Sequence, residues 1–112
     1  MQTPGFSRLW RAQKLTDEDL QSLEASIMTD PLASPVMRGT NGLRKIRFAP
    51  QSRGKGKSGS MRIGYAQFPE YGLILLVTLF LKKDDENLSK RDQQVIAEFL
   101  AEFSTQLKES RI

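Results

Sequence analysis

From Leu43 onward this chain changes period. Three successive runs, GLRKIRFAP, SMRIGYAQF and LILLVTLFL, read as β-strands, the first two alternating and the third apolar throughout. The links between them are short. Parallel neighbours need a long crossover, so these links impose antiparallel hairpins and the runs are expected to form a meander. In the first run Leu43, Lys45 and Arg47 share one face, while Arg44, Ile46 and Phe48 share the other. The third run, apolar on both faces, is expected to be central and covered. Pro50–Gly59 reads as a basic loop rich in Gly and Pro, and Pro69–Gly72 as a short turn.

Helical periodicity brackets the strands. Residues 3–14 bring Phe6, Leu9 and Trp10 to one side of a short helix. Thr16 is a predicted N-cap, with Asp19 three residues on as a capping-box partner and Asp17 and Glu18 suiting the positive end of a helix dipole. Leu20, Leu23 and Ile27 form the apolar stripe, and Pro31 stops the helix. Residues 32–42 are turn-rich and read as a loop. Ser89 caps a last helix whose apolar face is Val95, Ile96, Phe99, Leu100, Phe103 and Leu107. The expected architecture is a single α+β domain over residues 1–112. Its antiparallel sheet of three or four strands packs against N-terminal helices and a C-terminal helix, with the helices on one side.

Charge is segregated along this frame. No acid occurs between Asp30 and Glu70, yet Arg38, Arg44, Lys45, Arg47, Arg53, Lys55, Lys57 and Arg62 all lie there. Eight of the 17 cationic residues thus fall within residues 38–62 of the 112-residue chain, whose net charge is only +4. Such a face attracts a polyanion, and nucleic acid is the commonest. The meander brings Lys45, Arg47 and Arg62, with Lys82 and Lys83 at the end of the third strand, to one sheet face or rim. Surface ion pairing does not explain the gathering of Lys45, Arg47 and Arg62, because the sequence holds no acid between Asp30 and Glu70; anion binding does. The chain has no Cys and no His. Disulfides and thiolate metal sites are excluded, as are the usual neutral-pH acid/base and the usual zinc ligand. No metal or other cofactor is expected. The longest apolar stretch, Tyr71–Leu81, is too short to span a bilayer, and the N-terminus has no apolar signal region, so a cytoplasmic protein is expected.

Other features point elsewhere less strongly. The loop RGKGKSGS falls short of a P-loop: Gln51 stands where the first Gly is needed, and a strand rather than a helix follows. Trp10 and Tyr65 could stack on bases, but core packing is the expectation for both. Asp84, Asp85 and Glu86 read as a solvated turn before the Ser89 cap.

The stretch RGTNGLRKIRFAPQSRGKGKSGSMRIGY, followed by LVTLFLKKDDENLS and a terminal helix, resembles the RelE/ParE superfamily of bacterial toxins, most closely its HigB-like branch. That branch commonly shows a G-T-x-G-L-R-K-x-R strand, a G-K-S-G-G loop and an R-x-x-Y strand. The preceding LTDEDLQSLEASIMTDP segment also resembles it, and the similarity runs over about residues 4–105. The resemblance implies a RelE-like fold and a ribosome-dependent mRNA endonuclease acting on mRNA in the ribosomal A site. It also implies a cognate antitoxin, commonly HigA-like with a helix-turn-helix domain. The family's catalytic cations fall on Lys45, Arg47 and Arg62, and on Lys82 or Lys83. Arg38, Arg44, Arg53, Lys55 and Lys57 become expected RNA-binding residues. Three departures stand out. Relatives usually begin with a β-strand, for which residues 1–5 are too short; Ser60 replaces a common Gly; and no Tyr follows Tyr71 to stack on substrate from the C-terminal region.

RNA supplies its own nucleophile, the 2′-OH. Cleavage needs a base for that hydroxyl, positive charge on the phosphorane and an acid for the leaving 5′-oxygen. Without His, the base is expected to be a lysine. A lysine's ordinary pKa of about 10.4 is lowered by neighbouring cations and partial burial. The resulting assignment is Lys45 as base, Arg47 and Arg62 as phosphate clamps, and Lys82 or Lys83 as acid. Two alternatives stay open: a ParE-like gyrase inhibitor, and an RNA- or ribosome-binding module that cuts nothing.

Overall fold

The computed structural model describes residues 1–51, 61–80 and 88–110. The elements are α1 (Pro4–Ala12), α2 (Asp17–Thr29), β1 (Arg44–Phe48), β2 (Met61–Phe68), β3 (Leu73–Phe80) and α3 (Lys90–Glu109), with a 3-10 turn at Pro69–Tyr71. The strands form one antiparallel sheet in the order β1-β2-β3. This is the expected α+β architecture, and it is consistent with a RelE-like fold. Among the described residues no helix is long and apolar enough to cross a membrane.

Local chemistry sets the helix starts. The Thr3 side chain accepts from the Phe6 amide at 3.0 Å, and Pro4 follows at the first helical position, where its missing N–H costs nothing. At α2 both halves of the capping box form: the Asp19 amide donates to Thr16 Oγ1 at 3.0 Å, and the Thr16 amide donates to Asp19 Oδ2 at 3.1 Å. Ser89 caps α3 by accepting from the Asp92 amide at 3.1 Å.

The helices do not share one side of the sheet. Phe6 and Trp10 of α1 and Leu23 and Ile27 of α2 pack with Phe48, Met61, Ile63, Tyr65, Leu76 and Leu79. Leu100 of α3, flanked by Ile96 and Phe103, packs with Leu43, Ala66, Leu75 and Phe80. The sheet therefore lies between two helical layers. The reason lies in β3, whose successive residues Leu75 and Leu76 are both buried, one in each cluster, so each face must be covered. Nor is β3 the central strand; β2 is. The outer edge of β3 is partly occupied by the N-terminal residues. Gln2 forms a parallel bridge with Leu76, whose amide donates to the Met1 carbonyl at 2.9 Å and whose carbonyl accepts from the Thr3 amide at 3.0 Å. The strand expected to be missing is thus represented by a single bridge.

Two apolar stripes are narrower than expected. On α1, Leu9 is exposed while Phe6 and Trp10 are buried. On α3 the line Ile96, Leu100, Phe103 meets the sheet, but Val95 and Phe99 remain 57% and 40% exposed on its flank.

The segment RGTNG before β1 is a built turn rather than a loose loop. Gly39, Asn41 and Gly42 all have positive φ, a region open to Gly and tolerated by Asn. At its centre Thr40 is fully buried. Its hydroxyl donates to the Met37 carbonyl at 2.7 Å and accepts the Leu43 amide at 3.0 Å, while the Met37 amide donates to the Leu43 carbonyl at 2.7 Å. This turn sets where β1 begins. Thr40→Val keeps the shape but leaves the Leu43 amide buried without its acceptor. It should cost about 1–3 kcal/mol, read as a lower midpoint in urea unfolding.

Candidate functional site

The predicted two faces of β1 are realised. Ile46 and Phe48 join the cluster under α1 and α2, and Leu43 joins the cluster under α3. Lys45 and Arg47 alternate with Ile46 and so lie on the α3 side. The antiparallel register then fixes their neighbours. Arg47 stands directly opposite Arg62, and Arg62 stands opposite Phe80 of β3. Lys45 stands opposite Gly64, and Gly64 opposite Thr78. Directly opposed side chains in an antiparallel pair have Cβ atoms about 4.5–5.5 Å apart, and diagonal ones about 7–8 Å. Lys45 is diagonal to Arg62, so the three cations form a compact triangle at one end of the sheet. Lys45 and Arg62 are half-buried, and Arg47 is exposed.

Gly64 keeps the floor of this triangle low. A Cβ there would lie 3.0 Å from Thr78 Cγ2 and 3.3 Å from both Leu43 methyls. The register also shifts between Gly64 and Tyr65, as expected where a lone Gly interrupts a strand pattern. That Gly was the sequence's signal for a special position, although its role beneath Lys45 follows only from the pairing.

The remaining expected cations fall in three places. Arg38 is exposed on the turn before β1 and lines a groove together with Lys45. Arg44 does not join the triangle. It lies on the opposite face of β1, and its guanidinium donates to the carbonyls of Ser34 at 2.6 Å and Leu32 at 3.3 Å. Its cross-strand neighbour Tyr65 donates to the Pro31 carbonyl at 2.7 Å. Arg44 and Tyr65 thus tie down the segment after α2, whose carbonyls have no helical partners. Arg53, Lys55, Lys57, Lys82 and Lys83 lie outside the described residues, as do Asp84, Asp85 and Glu86 and most of the loop compared with a P-loop.

Trp10 and Tyr65 are buried, in keeping with the core reading and out of reach of a base. The Trp10 indole donates to the Thr16 carbonyl at 3.3 Å and stacks between Phe6 and Phe48. Among the described residues no three potential carboxylate, His or Cys ligands converge on a metal position. No protein-family model matches the chain.

The arrangement can grip a phosphodiester: two arginines side by side across a strand pair, with a lysine one diagonal away. Like charges directly opposite in a sheet are destabilising. Arg47→Gln should therefore stabilise the folded chain by about 0.2–1 kcal/mol at low salt. The gain should shrink as added salt screens the repulsion, and paired urea titrations at low and high ionic strength measure both effects.

Proposed function

We propose that this chain is the toxin of a type II toxin–antitoxin pair, a cytoplasmic ribosome-dependent endoribonuclease that cleaves mRNA in the ribosomal A site. The observation that carries the reading is the in-register triangle of Lys45, Arg47 and Arg62 on one sheet face. In this reading the scissile phosphate lies over the Arg47–Arg62 pair. Lys45 accepts the proton of the neighbouring 2′-OH, whose oxygen then attacks phosphorus. The new 2′-O–P bond forms as the P–O5′ bond breaks, leaving a 2′,3′-cyclic phosphate and a 5′-hydroxyl. Arg47 and Arg62 stabilise the charge that builds on the non-bridging oxygens. Lys82 or Lys83 protonates the departing 5′-oxygen. A cognate antitoxin, HigA-like with a helix-turn-helix domain, holds the chain inactive until it is removed.

The half-buried Lys45 is the residue to change. Its neighbours across the strands are Gly64 and Thr78, and it belongs to neither buried core cluster. Lys45→Ala should keep its circular dichroism spectrum and lose about 10²–10⁴-fold in cleavage of mRNA on programmed ribosomes, the range a general base supplies. Normal cutting by the variant would overturn the assignment. Unaltered growth arrest by the variant, with gyrase inhibited, would favour the ParE-like alternative.

A further inference from the structure

The turn carrying Arg38 and the first turn of α3 face each other beside β1. Between them lies a groove of about 550 Å³, whose described lining is Met37, Arg38, Lys45, Leu88, Lys90 and Gln93. Three of these are cations, and among the described residues none is acidic. Lys45 belongs both to this groove and to the triangle with Arg47 and Arg62, so the two cationic features are continuous.

The groove's walls are latched to each other. Gly39, at φ +74°, lies so close to α3 that a Cβ there would stand 2.5 Å from Gln93 Oε1. The Gln93 side chain donates in turn, through Nε2, to the Leu88 carbonyl at 3.0 Å. The Asn41 side chain donates to the Ala97 carbonyl at 3.4 Å. Arg38 and Lys90 are thereby presented from a fixed frame, which lowers the ordering cost of binding. Met37 and Leu88 supply apolar wall, where charge–charge attraction is stronger than in bulk water.

A second anomaly lies on α3 itself. Lys90 and Arg91 occupy its first two positions. The positive end of a helix dipole favours acids there by about 0.3–1 kcal/mol, a preference that Asp92 in the same turn meets and these two cations run against. An anion in the groove would reverse that cost. The described lining offers no aromatic ring on which a base could stack, which favours a phosphate over a nucleobase.

We propose that this groove seats the RNA phosphate adjacent to the cleaved linkage, held between Arg38 and Lys90. The seat rests on the nuclease reading above, because Lys45 then stands between two successive phosphates, the scissile one over Arg47 and Arg62 and its neighbour in the groove. Lys90 joins the substrate-binding residues, and the strand's path runs from the end of the sheet along the start of α3.

The test uses the full chain and a short 2′-O-methyl RNA, whose blocked nucleophile prevents cutting. Binding is measured over a salt series for the native protein and the Arg38→Gln/Lys90→Gln variant, both substituted side chains being exposed. Cleavage on programmed ribosomes is measured in parallel. The variant should bind more weakly. Its slope of log affinity against log salt should be shallower by about 0.7, because one phosphate fewer is neutralised. Making that single phosphate a neutral methylphosphonate should weaken the native protein and leave the variant indifferent, a double-mutant cycle across the pairing. Unchanged slope and affinity in the variant, with the native protein cutting normally, would overturn the seat alone. A shallower slope with no cutting by the native protein would overturn the nuclease reading, and with it the seat's place beside a cleaved linkage.

Discussion

A one-residue slip between β1 and β2 would exchange the two faces of β1. Lys45 and Arg47 would turn into the layer beneath α1 and α2, and Ile46 and Phe48 would turn out. The register that prevents this is held from the buried side. Phe48 is paired with Met61 and Ile46 with Ile63, all packed against Phe6, Trp10, Leu23 and Ile27. Fully burying side chains of this size stabilises by about 1.5–3 kcal/mol each. The like-charge opposition of Arg47 and Arg62 on the other face costs about 0.2–1 kcal/mol. The apolar face wins by a wide margin, so the sheet can carry an electrostatically unfavourable row without losing its pairing. In the proposed reading, function and stability fall on opposite faces of one strand pair.

The second helical layer has a different task. α3 covers its face of the sheet along Ile96, Leu100 and Phe103, in a cluster with Leu43, Ala66, Leu75 and Phe80. At the end of the sheet that holds Arg47 and Arg62, Lys45 lines a groove with Lys90 and Gln93 at the start of α3. The turn from Met37 to Leu43 fills the corner. Buried Thr40 closes it, and Gln93 and Asn41 join it to α3. One short segment with three positive-φ residues therefore fixes the start of β1, the position of Arg38 and the distance to the first turn of α3.

Much of this was legible because it is local. The Thr16–Asp19 capping box, the Ser89 cap, the alternation of β1 and the turn ending at Gly72 each depend on residues a few positions apart. What required the coordinates depends on distant partners. A run apolar on both faces announces that β3 is covered, but not that β2 takes the centre or that the helices divide between the two sides. Arg44 looks like its neighbour Lys45 in sequence, yet its partners are carbonyls of residues 32 and 34 on the opposite face. Val95 and Phe99 have helical spacing suited to a core stripe, but they stay exposed, lining an open groove with Val77 and Thr78 of β3. Lys90, at the start of α3, gains meaning from the groove it shares with Arg38 and Lys45. The resemblance to RelE-like toxins named the three triangle residues, and the register supplies a physical reason for treating them as one site.

In the proposed function, this face directs an RNA's own 2′-hydroxyl against its neighbouring phosphate. The most direct measurement places a single 2′-deoxy nucleotide at a mapped cleavage position of an otherwise ordinary mRNA on programmed ribosomes. This one linkage should resist the protein while flanking sites are still cut, with 2′,3′-cyclic phosphate at the new ends. Undiminished cleavage at the deoxy position would contradict it.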